Sequence, residues 1–142
     1  MLKGIKPVIS PELLKILMEM GHGDEIVIGD GNFPAASLAN RLVRLDGHGV
    51  CEILDAILDL MPLDEYVDNP AMLMQVTPGD PVVPVIWESY KEIINKHEPE
   101  DNGIEEIERF AFYERARNAY AVIATGETAI YANIILKKGV VK

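Results

Sequence analysis

The chain of 142 residues carries a formal net charge of −10, and 49% of its residues are hydrophobic. This acidity argues against nucleic acids and anionic membrane surfaces as partners, because both bind basic proteins. No apolar run reaches the roughly 20 residues of a membrane span, and the length predicts one domain, residues 1–142, with a sizeable core. Cys51 is the single cysteine and the first residues carry no export signal, so we expect a cytoplasmic protein without an internal disulfide.

The first half of the chain predicts helices that alternate with strands. Ser10-Pro11-Glu12 is typical of a helix start, because serine caps a helix and proline fits its first turn. Gly21 can end that helix. The elements expected next are a buried strand over 25–29, a loop over 32–34, a short helix over 35–40, a strand over 41–45 and a helix over 50–60.

The second half continues the same alternation. Its expected elements are a strand over 71–76, a turn over 77–81, a helix over 85–97, a polar loop over 99–103, a glutamate-rich edge strand over 104–110, a helix over 112–119, a buried strand over 120–125 and a last strand over 133–136. Because helices and strands mix along the whole length, we predict an α/β fold, a single compact layered domain with a mixed sheet and flanking helices.

Two polar residues flank the strand predicted over 25–29. His22 lies between Gly21 and Gly23, and Asp30 directly follows Gly29. A buried strand that ends in glycine and aspartate is typical of a pocket at the carboxyl end of a strand. The alternative is structural: helix ends favour histidine and turns favour aspartate, so His22 would cap a helix and Asp30 would start a turn.

The other reactive residue types form no known motif. His22, His48 and His97 lie far apart and have no histidine or cysteine at metal-ligand spacing, and the glycines match neither a phosphate-binding loop nor a dinucleotide fingerprint. We therefore expect no metal and no cofactor. His48 is interpreted as a turn residue, His97 as a surface cap at a helix end, and Cys51 as a core residue of an amphipathic helix.

A second group of polar side chains lies in the last third of the chain. Arg109 precedes an aromatic segment, and Tyr131-Ala132-Asn133 opens the last predicted strand. Arginine, tyrosine and asparagine offer directed hydrogen bonds to hydroxyl oxygens, and Tyr131 and Asn133, two apart on a strand, would point to the same side. The alternative is a surface ion pair between Arg109 and a nearby glutamate, together with a core tyrosine.

Five blocks of the sequence stand out together: Met20-Gly-His-Gly-Asp-Glu-Ile26, Asp30 with Asn32-Phe-Pro34, Arg109-Phe-Ala-Phe-Tyr-Glu-Arg-Ala116, Thr125-Gly-Glu127 and Tyr131-Ala-Asn-Ile-Ile-Leu-Lys-Lys-Gly139. In these blocks the chain resembles the L-fucose mutarotase family, whose wider group includes D-ribose pyranase. The resemblance runs from Leu2 to Gly139. It implies a compact α/β domain that assembles into rings, commonly a decamer, and that needs no metal or cofactor.

The resemblance also implies roles for individual residues. His22 matches the proton donor of the family. The positions that match its sugar contacts are Asp30, Arg109, Tyr131, Ala132 and Asn133, with Asp64 and Tyr113 added from animal-type members. Ala132 stands where fucose mutarotases commonly have glycine and matches the pyranase branch, so a backbone group is its expected contribution.

The implied chemistry agrees with the residue types. Mutarotation opens a pyranose ring and closes it on the other face, which needs one proton removed and one supplied; a histidine side chain titrates near neutral pH and suits that task. We predict an isomerase for L-fucose, a monosaccharide partner and a homo-oligomer whose split site is completed across subunits. The alternatives are a D-ribose pyranase-type mutarotase and a non-catalytic sugar-binding or transport-accessory protein.

Overall fold

The computed structural model describes residues 1–99 and 103–142. Most of the polar loop predicted over 99–103 therefore lies outside the described residues. The described helices and strands are, in chain order, α1 Pro11–Glu19, β1 Glu25–Gly29, α2 Ala35–Leu38, β2 Leu42–Leu45, α3 Val50–Leu58, β3 Ala71–Met74, α4 Ile86–His97, β4 Ile104–Ile107, α5 Arg109–Asn118, β5 Ala121–Thr125 and β6 Ile134–Lys137. None of these helices is long and apolar enough to cross a membrane.

The described strands form one six-stranded sheet in the order β2-β5-β1-β6-β3-β4. Strands β1, β5 and β2 run parallel to one another, as do β3 and β4. Strand β6 runs antiparallel to both of its neighbours, β1 and β3. The carboxyl ends of the five other strands therefore share one edge of the sheet with the start of β6. We call this the carboxyl edge and the opposite one the amino edge.

Helices cover both faces of the sheet. Strand side chains alternate between the faces, so that Ile26 and Ile28 belong to one core cluster and Val27 to another. The first cluster includes buried side chains of α1, α3 and α4, and the second includes buried side chains of α2 and α5. This three-layer arrangement with a mixed sheet confirms the predicted α/β class.

The amino-terminal helix begins as its sequence predicts. The Ser10 hydroxyl oxygen accepts a hydrogen bond from the Leu13 backbone N–H at 3.1 Å, and Pro11 is the first helical residue. Proline has no N–H to leave unsatisfied at that position, which is why it fits there.

The strand predicted over 104–110 is too long. This strand, β4, is the outermost strand on its side of the sheet and ends at Ile107. Arg109 is already the first residue of α5. The Glu108 carboxylate accepts hydrogen bonds from the backbone N–H groups of Phe110 and Ala111 at 2.9 and 3.0 Å. This carboxylate cap begins the helix, so Arg109 leaves from a helix start and not from a strand.

The last strand also begins later than predicted. It starts at Ile134, and Tyr131, Ala132 and Asn133 precede it. Tyr131 has a φ of 56°, which no strand residue adopts. Tyr131 and Asn133 are therefore not aligned by the predicted strand alternation, although both side chains line the same pocket, as described below.

His97 is not the surface cap that its position predicts. Its side chain is only 13% exposed, and Nε2 lies 2.7 Å from Oδ1 of Asp55. The same carboxylate pairs with Lys6 and Lys96. His97 is therefore part of a charged cluster that ties α4 and the amino-terminal segment to α3.

The prediction for His48 is confirmed, whereas Cys51, predicted as a core residue, lies at the margin of the core. His48 lies in the turn after β2, and its Nδ1 is 3.0 Å from Oε2 of Glu52. Cys51 is partly buried and packs against the first core cluster from α3.

Candidate functional site

A polar pocket lies at the carboxyl edge of the sheet. Its volume is about 280 Å³, and its polar lining includes Asp30, Asp80, Arg109, Tyr113, Tyr131 and Asn133. The topology explains why these residues meet. Asp30 follows β1, Asp80 follows β3 and Arg109 follows β4, while Asn133 precedes the antiparallel β6. Residues far apart in sequence thus leave the sheet at the same edge, which is where open α/β sheets bind ligands.

Asp30 is buried at the base of this pocket. Its Oδ1 accepts a hydrogen bond from the Asn32 N–H at 3.0 Å, and its Oδ2 accepts one from the Ala132 N–H at 3.3 Å. Burial raises the pKa of Asp30, whereas these two backbone donors oppose the rise because they favour the charged carboxylate. Both sequence interpretations hold at once, since Asp30 starts a turn and also lines the pocket.

Asn133 has a fixed amide orientation. Its Oδ1 accepts a hydrogen bond from the Asp30 backbone N–H at 2.7 Å, and both residues are buried. The oxygen is therefore used within the protein, and the amide nitrogen lies 4.0 Å from Sδ of Met74, which also lines the pocket. Asn133 can offer N–H donors to a ligand while its oxygen supports Asp30.

Arg109 and Tyr113 form the exposed side of the pocket. Nε of Arg109 donates to the Tyr113 hydroxyl at 3.1 Å, and the guanidinium lies 5.4 Å from the Tyr113 ring. The hydrogen bond to Tyr113 raises the pKa of Arg109, so the side chain stays charged. Within the described residues Arg109 makes no ion pair with a glutamate, so the alternative drawn from the sequence is not observed.

Tyr131 and Ala132 play different parts. The Tyr131 hydroxyl donates to Oδ2 of Asp80 at 2.6 Å at the pocket wall. Ala132 is fully buried; its N–H reaches Asp30, and its carbonyl accepts a hydrogen bond from the Tyr90 hydroxyl at 2.7 Å. Both backbone polar groups of Ala132 thus have protein partners behind the pocket.

His22 lies at the other edge of the sheet. It precedes β1 in a turn where Gly23 has a φ of 86°, a conformation that only glycine adopts without strain. His22 is 46% exposed, whereas the Asp64 side chain beside it is 3% exposed, and His22 Nε2 lies 3.0 Å from Asp64 Oδ1. The Tyr66 ring packs against the imidazole with centroids 5.4 Å apart.

The environment of Asp64 determines which imidazole nitrogen carries a proton. Burial acts to raise the pKa of Asp64, but the Tyr66 backbone N–H and the His22 hydrogen bond outweigh it and lower that pKa. An ionised carboxylate only accepts hydrogen bonds. His22 must therefore donate from Nε2, which leaves Nδ1 to exchange a proton with a ligand; Nδ1 makes no hydrogen bond within residues 1–99 and 103–142.

The structure brings together most of the predicted site residues but not His22. Asp30, Arg109, Tyr113, Tyr131 and Asn133 share the carboxyl-edge pocket. His22 and Asp64 lie beyond the amino edge, and strand β1 between the two edges spans roughly 13 Å. Asp64 hydrogen bonds to His22, and its role as a sugar contact stays a prediction.

Three further residues near the pocket were not predicted as site residues. Asp80 lies in the turn predicted over 77–81, Tyr90 lies in the helix predicted over 85–97, and Trp87 is the one tryptophan of the chain. The Trp87 indole donates to the Tyr131 carbonyl at 2.7 Å. A lone tryptophan beside a proline-rich turn was the available signal, since a buried indole N–H needs an acceptor. No cluster of histidine, cysteine or carboxylate side chains suited to a metal occurs in the described part of the chain.

Comparison with known proteins shows close relatives along almost the whole chain. An L-fucose mutarotase from Actinobacillus pleuropneumoniae is 53% identical over 140 residues, covering 99% of this chain and 97% of the relative. Among solved structures, FucU from Bifidobacterium longum has a TM-score of 0.96 at 58% identity, covering 99% of this chain and 100% of that chain. The fucose mutarotase of Streptococcus pneumoniae, solved in complex with L-fucose, has a TM-score of 0.95 at 56% identity, with coverage of 99% and 100%.

A family model gives the same result. The model of the RbsD / FucU transport protein family matches residues 3–141. With that match and relatives above half identity, this chain belongs to the RbsD/FucU family.

Proposed function

We infer that this chain is an L-fucose mutarotase, an isomerase that interconverts the α and β anomers of L-fucose by acid–base ring opening and closure. The observation that carries the inference is its likeness to the fucose mutarotase solved with L-fucose, at 56% identity and a TM-score of 0.95. The pocket supports it: its volume of about 280 Å³ is just below the roughly 300–1,000 Å³ of typical ligand sites, which suits a single sugar ring.

The proposed reaction moves two protons and needs no net change in the protein. Opening the ring removes the proton of the anomeric hydroxyl, forms a carbonyl and delivers a proton to the ring oxygen as its bond to carbon breaks. Closure on the other face of the carbonyl reverses both transfers. General acid–base help is typically worth 10²–10⁴-fold, about 3–5 kcal/mol.

The polar groups of the pocket make different hydrogen bonds to the sugar. The Asp30 carboxylate accepts hydrogen bonds from sugar hydroxyls, and the Asn133 amide nitrogen donates to a hydroxyl oxygen. Arg109 has only donors, so it can orient or polarise an oxygen but cannot act as a base. Ala132 is fully buried and supports Asp30 through its N–H, and both of its polar backbone groups already have protein partners.

His22 supplies the proton transfer in this proposal, with Asp64 as its orienting partner. The carboxylate holds Nε2–H and stabilises the imidazolium while Nδ1 gives or takes the proton. We therefore reassign Asp64 from sugar binding to orientation of His22. Tyr113 is better suited to donate than to accept a proton, since a phenol has a high pKa in general.

The positions of the two groups imply a shared site. A sugar in the carboxyl-edge pocket cannot reach His22 of the same chain, since β1 alone separates the edges by roughly 13 Å. We propose that His22 and Asp64 of one subunit face the pocket of another, in a ring-forming homo-oligomer that we expect to be a decamer. The chain, residues 1–142, would act as one domain in this assembly, and a cytoplasmic location remains our prediction from the single cysteine.

The test is saturation transfer between the α and β anomers of L-fucose, measured by NMR with and without the protein. Faster exchange than in buffer supports the proposal, and exchange at the buffer rate ends it. Faster pyranose–furanose exchange of D-ribose alone would favour the pyranase activity. Saturable sugar binding without any acceleration would favour a binding or transport-accessory protein.

A further inference from the structure

Tyr131 is held in a backbone conformation that tyrosine rarely adopts. Its φ of 56° is the one positive value among the described non-glycine residues. The left-handed region is unfavourable for a non-glycine residue, so such a conformation persists where surrounding contacts enforce it. Tyr131 lines the carboxyl-edge pocket, which is the proposed sugar pocket. The contacts that enforce its conformation therefore also determine the shape of that pocket.

Helix α4 and the turn after β3 supply those contacts. The Trp87 indole N–H donates to the Tyr131 carbonyl at 2.7 Å, and the Tyr131 hydroxyl donates to Asp80 at 2.6 Å. One helical turn on from Trp87, the Tyr90 hydroxyl donates to the carbonyl of Ala132 at 2.7 Å. Two aromatic donors of α4 thus hold two consecutive carbonyls.

The Trp87 hydrogen bond also reaches Asp30 through a single peptide group. The Tyr131 carbonyl and the Ala132 N–H belong to one planar unit and point in opposite directions. Its oxygen accepts from Trp87, and its N–H donates to Oδ2 of Asp30 at 3.3 Å. Fixing the carbonyl therefore fixes the donor that orients the Asp30 carboxylate.

We propose that Trp87 is a positioning residue of the sugar pocket, which holds the peptide between Tyr131 and Ala132 so that the Asp30 carboxylate faces the sugar. Trp87 acts through these residues and need not touch the sugar. This inference rests on the proposed function, because it takes L-fucose as the ligand of the pocket.

The unmodified protein provides the first test, because Trp87 gives its only indole N–H resonance. We expect that resonance to shift saturably as L-fucose is added, with the same midpoint as sugar binding. An indole that does not shift in a protein that accelerates anomer exchange would overturn the positioning role alone. A protein that neither binds L-fucose nor accelerates exchange would overturn the proposed function as well.

The second test is Trp87→Phe, which removes the N–H donor and keeps an aromatic ring. We expect KM for L-fucose to rise about three- to tenfold, the loss of one net hydrogen bond, while kcat changes less than about twofold. The control is Glu88→Gln, at the next position in the chain. Glu88 is exposed and pairs with Lys91, so the KM and kcat of this variant should match those of the wild type. A Trp87→Phe protein with unchanged KM contradicts the proposal, and if that variant does not fold, the indole resonance decides.

Discussion

Nε2 of His22 and Oδ1 of Asp64 lie 3.0 Å apart although 42 positions separate the residues in sequence. Because the pKa of Asp64 is lowered, the carboxylate is charged and fixes the proton of the neutral imidazole on Nε2. We expect Asp64→Asn to keep the ring in place but to remove the charge that stabilises the imidazolium. The value of kcat for L-fucose exchange should fall at least about tenfold with little change in sugar affinity, as saturation transfer and a binding titration would measure. A reduced affinity with unchanged kcat would return Asp64 to the role of a sugar contact.

Replacing His22 tests the proton chemistry. His22→Ala should abolish the acceleration of anomer exchange, and His22→Gln should not restore it, because an amide cannot cycle a proton. Binding of L-fucose should persist in both variants, since Asp30, Arg109 and Asn133 stay in place.

His48→Gln is the matched control for this pair. The His48 side chain is 39% exposed and also bonds a carboxylate, that of Glu52, and His48 does not line the carboxyl-edge pocket. Its replacement should leave exchange unchanged. Near-wild-type exchange by His22→Gln would move the proton chemistry to another group, with Tyr113 the first candidate.

Asn133→Ala should weaken sugar binding and also lower the stability of the fold. The variant removes the pocket donor and also leaves the buried Asp30 N–H without its 2.7 Å acceptor, which costs about 1–3 kcal/mol of unfolding free energy. We expect a higher KM and a lower thermal midpoint, with the pH profile of kcat unchanged. A shifted pH profile would instead give Asn133 a part in proton transfer.

The charged cluster around Asp55 predicts how stability depends on pH. Hydrogen bonds from Lys6, Lys96 and His97 hold the pKa of Asp55 far below its usual value. A carboxyl group with a lowered folded-state pKa contributes stability above about pH 4, where the unfolded group is also ionised, and loses it as the pH falls further. Asp55→Asn should therefore lower the unfolding free energy at pH 7 by about 1–3 kcal/mol, and the difference from wild type should shrink below about pH 4.

Glu19→Gln controls for general loss of a surface charge. Glu19 pairs with Lys15 on the exposed face of α1, and such pairs contribute only about 0.3–0.5 kcal/mol. Denaturant titrations of both variants across pH would measure the difference. A constant gap between Asp55→Asn and wild type down to pH 2 would contradict the assignment.

The sequence predicted correctly those elements whose ends are determined by neighbouring residues. Strand Glu25–Gly29 was predicted with its observed bounds, because a short apolar run between two glycines marks both ends of a buried strand. The start of α5 was missed since the capping role of Glu108 depends on where its carboxylate folds back. The prediction of Arg109 as a strand residue failed for that reason.

The sequence predicted which residue types form the site, but not which of these residues contact one another. Periodicity cannot show that β6 runs antiparallel between β1 and β3, and that topology is what brings Asn133 to Asp30. Nor can spacing reveal that Asp64 meets His22, or that Trp87 holds Tyr131. Each of these pairs depends on tertiary structure that joins residues more than 40 positions apart.

The shared site is tested most directly by combining two defective subunits. His22→Ala removes the proton-transfer group from one half of the site, and Arg109→Met removes a sugar-binding group from the other half. Arg109 is exposed, so its replacement should not disturb the fold. The two chains are co-expressed with different tags and purified through both tags, and L-fucose exchange is measured against each parent alone. If His22 of one subunit serves the pocket of another, random assembly restores about a quarter of the sites to wild-type composition. Activity no higher than the mean of the two parents, or failure of the two chains to purify together, would contradict a site shared between subunits.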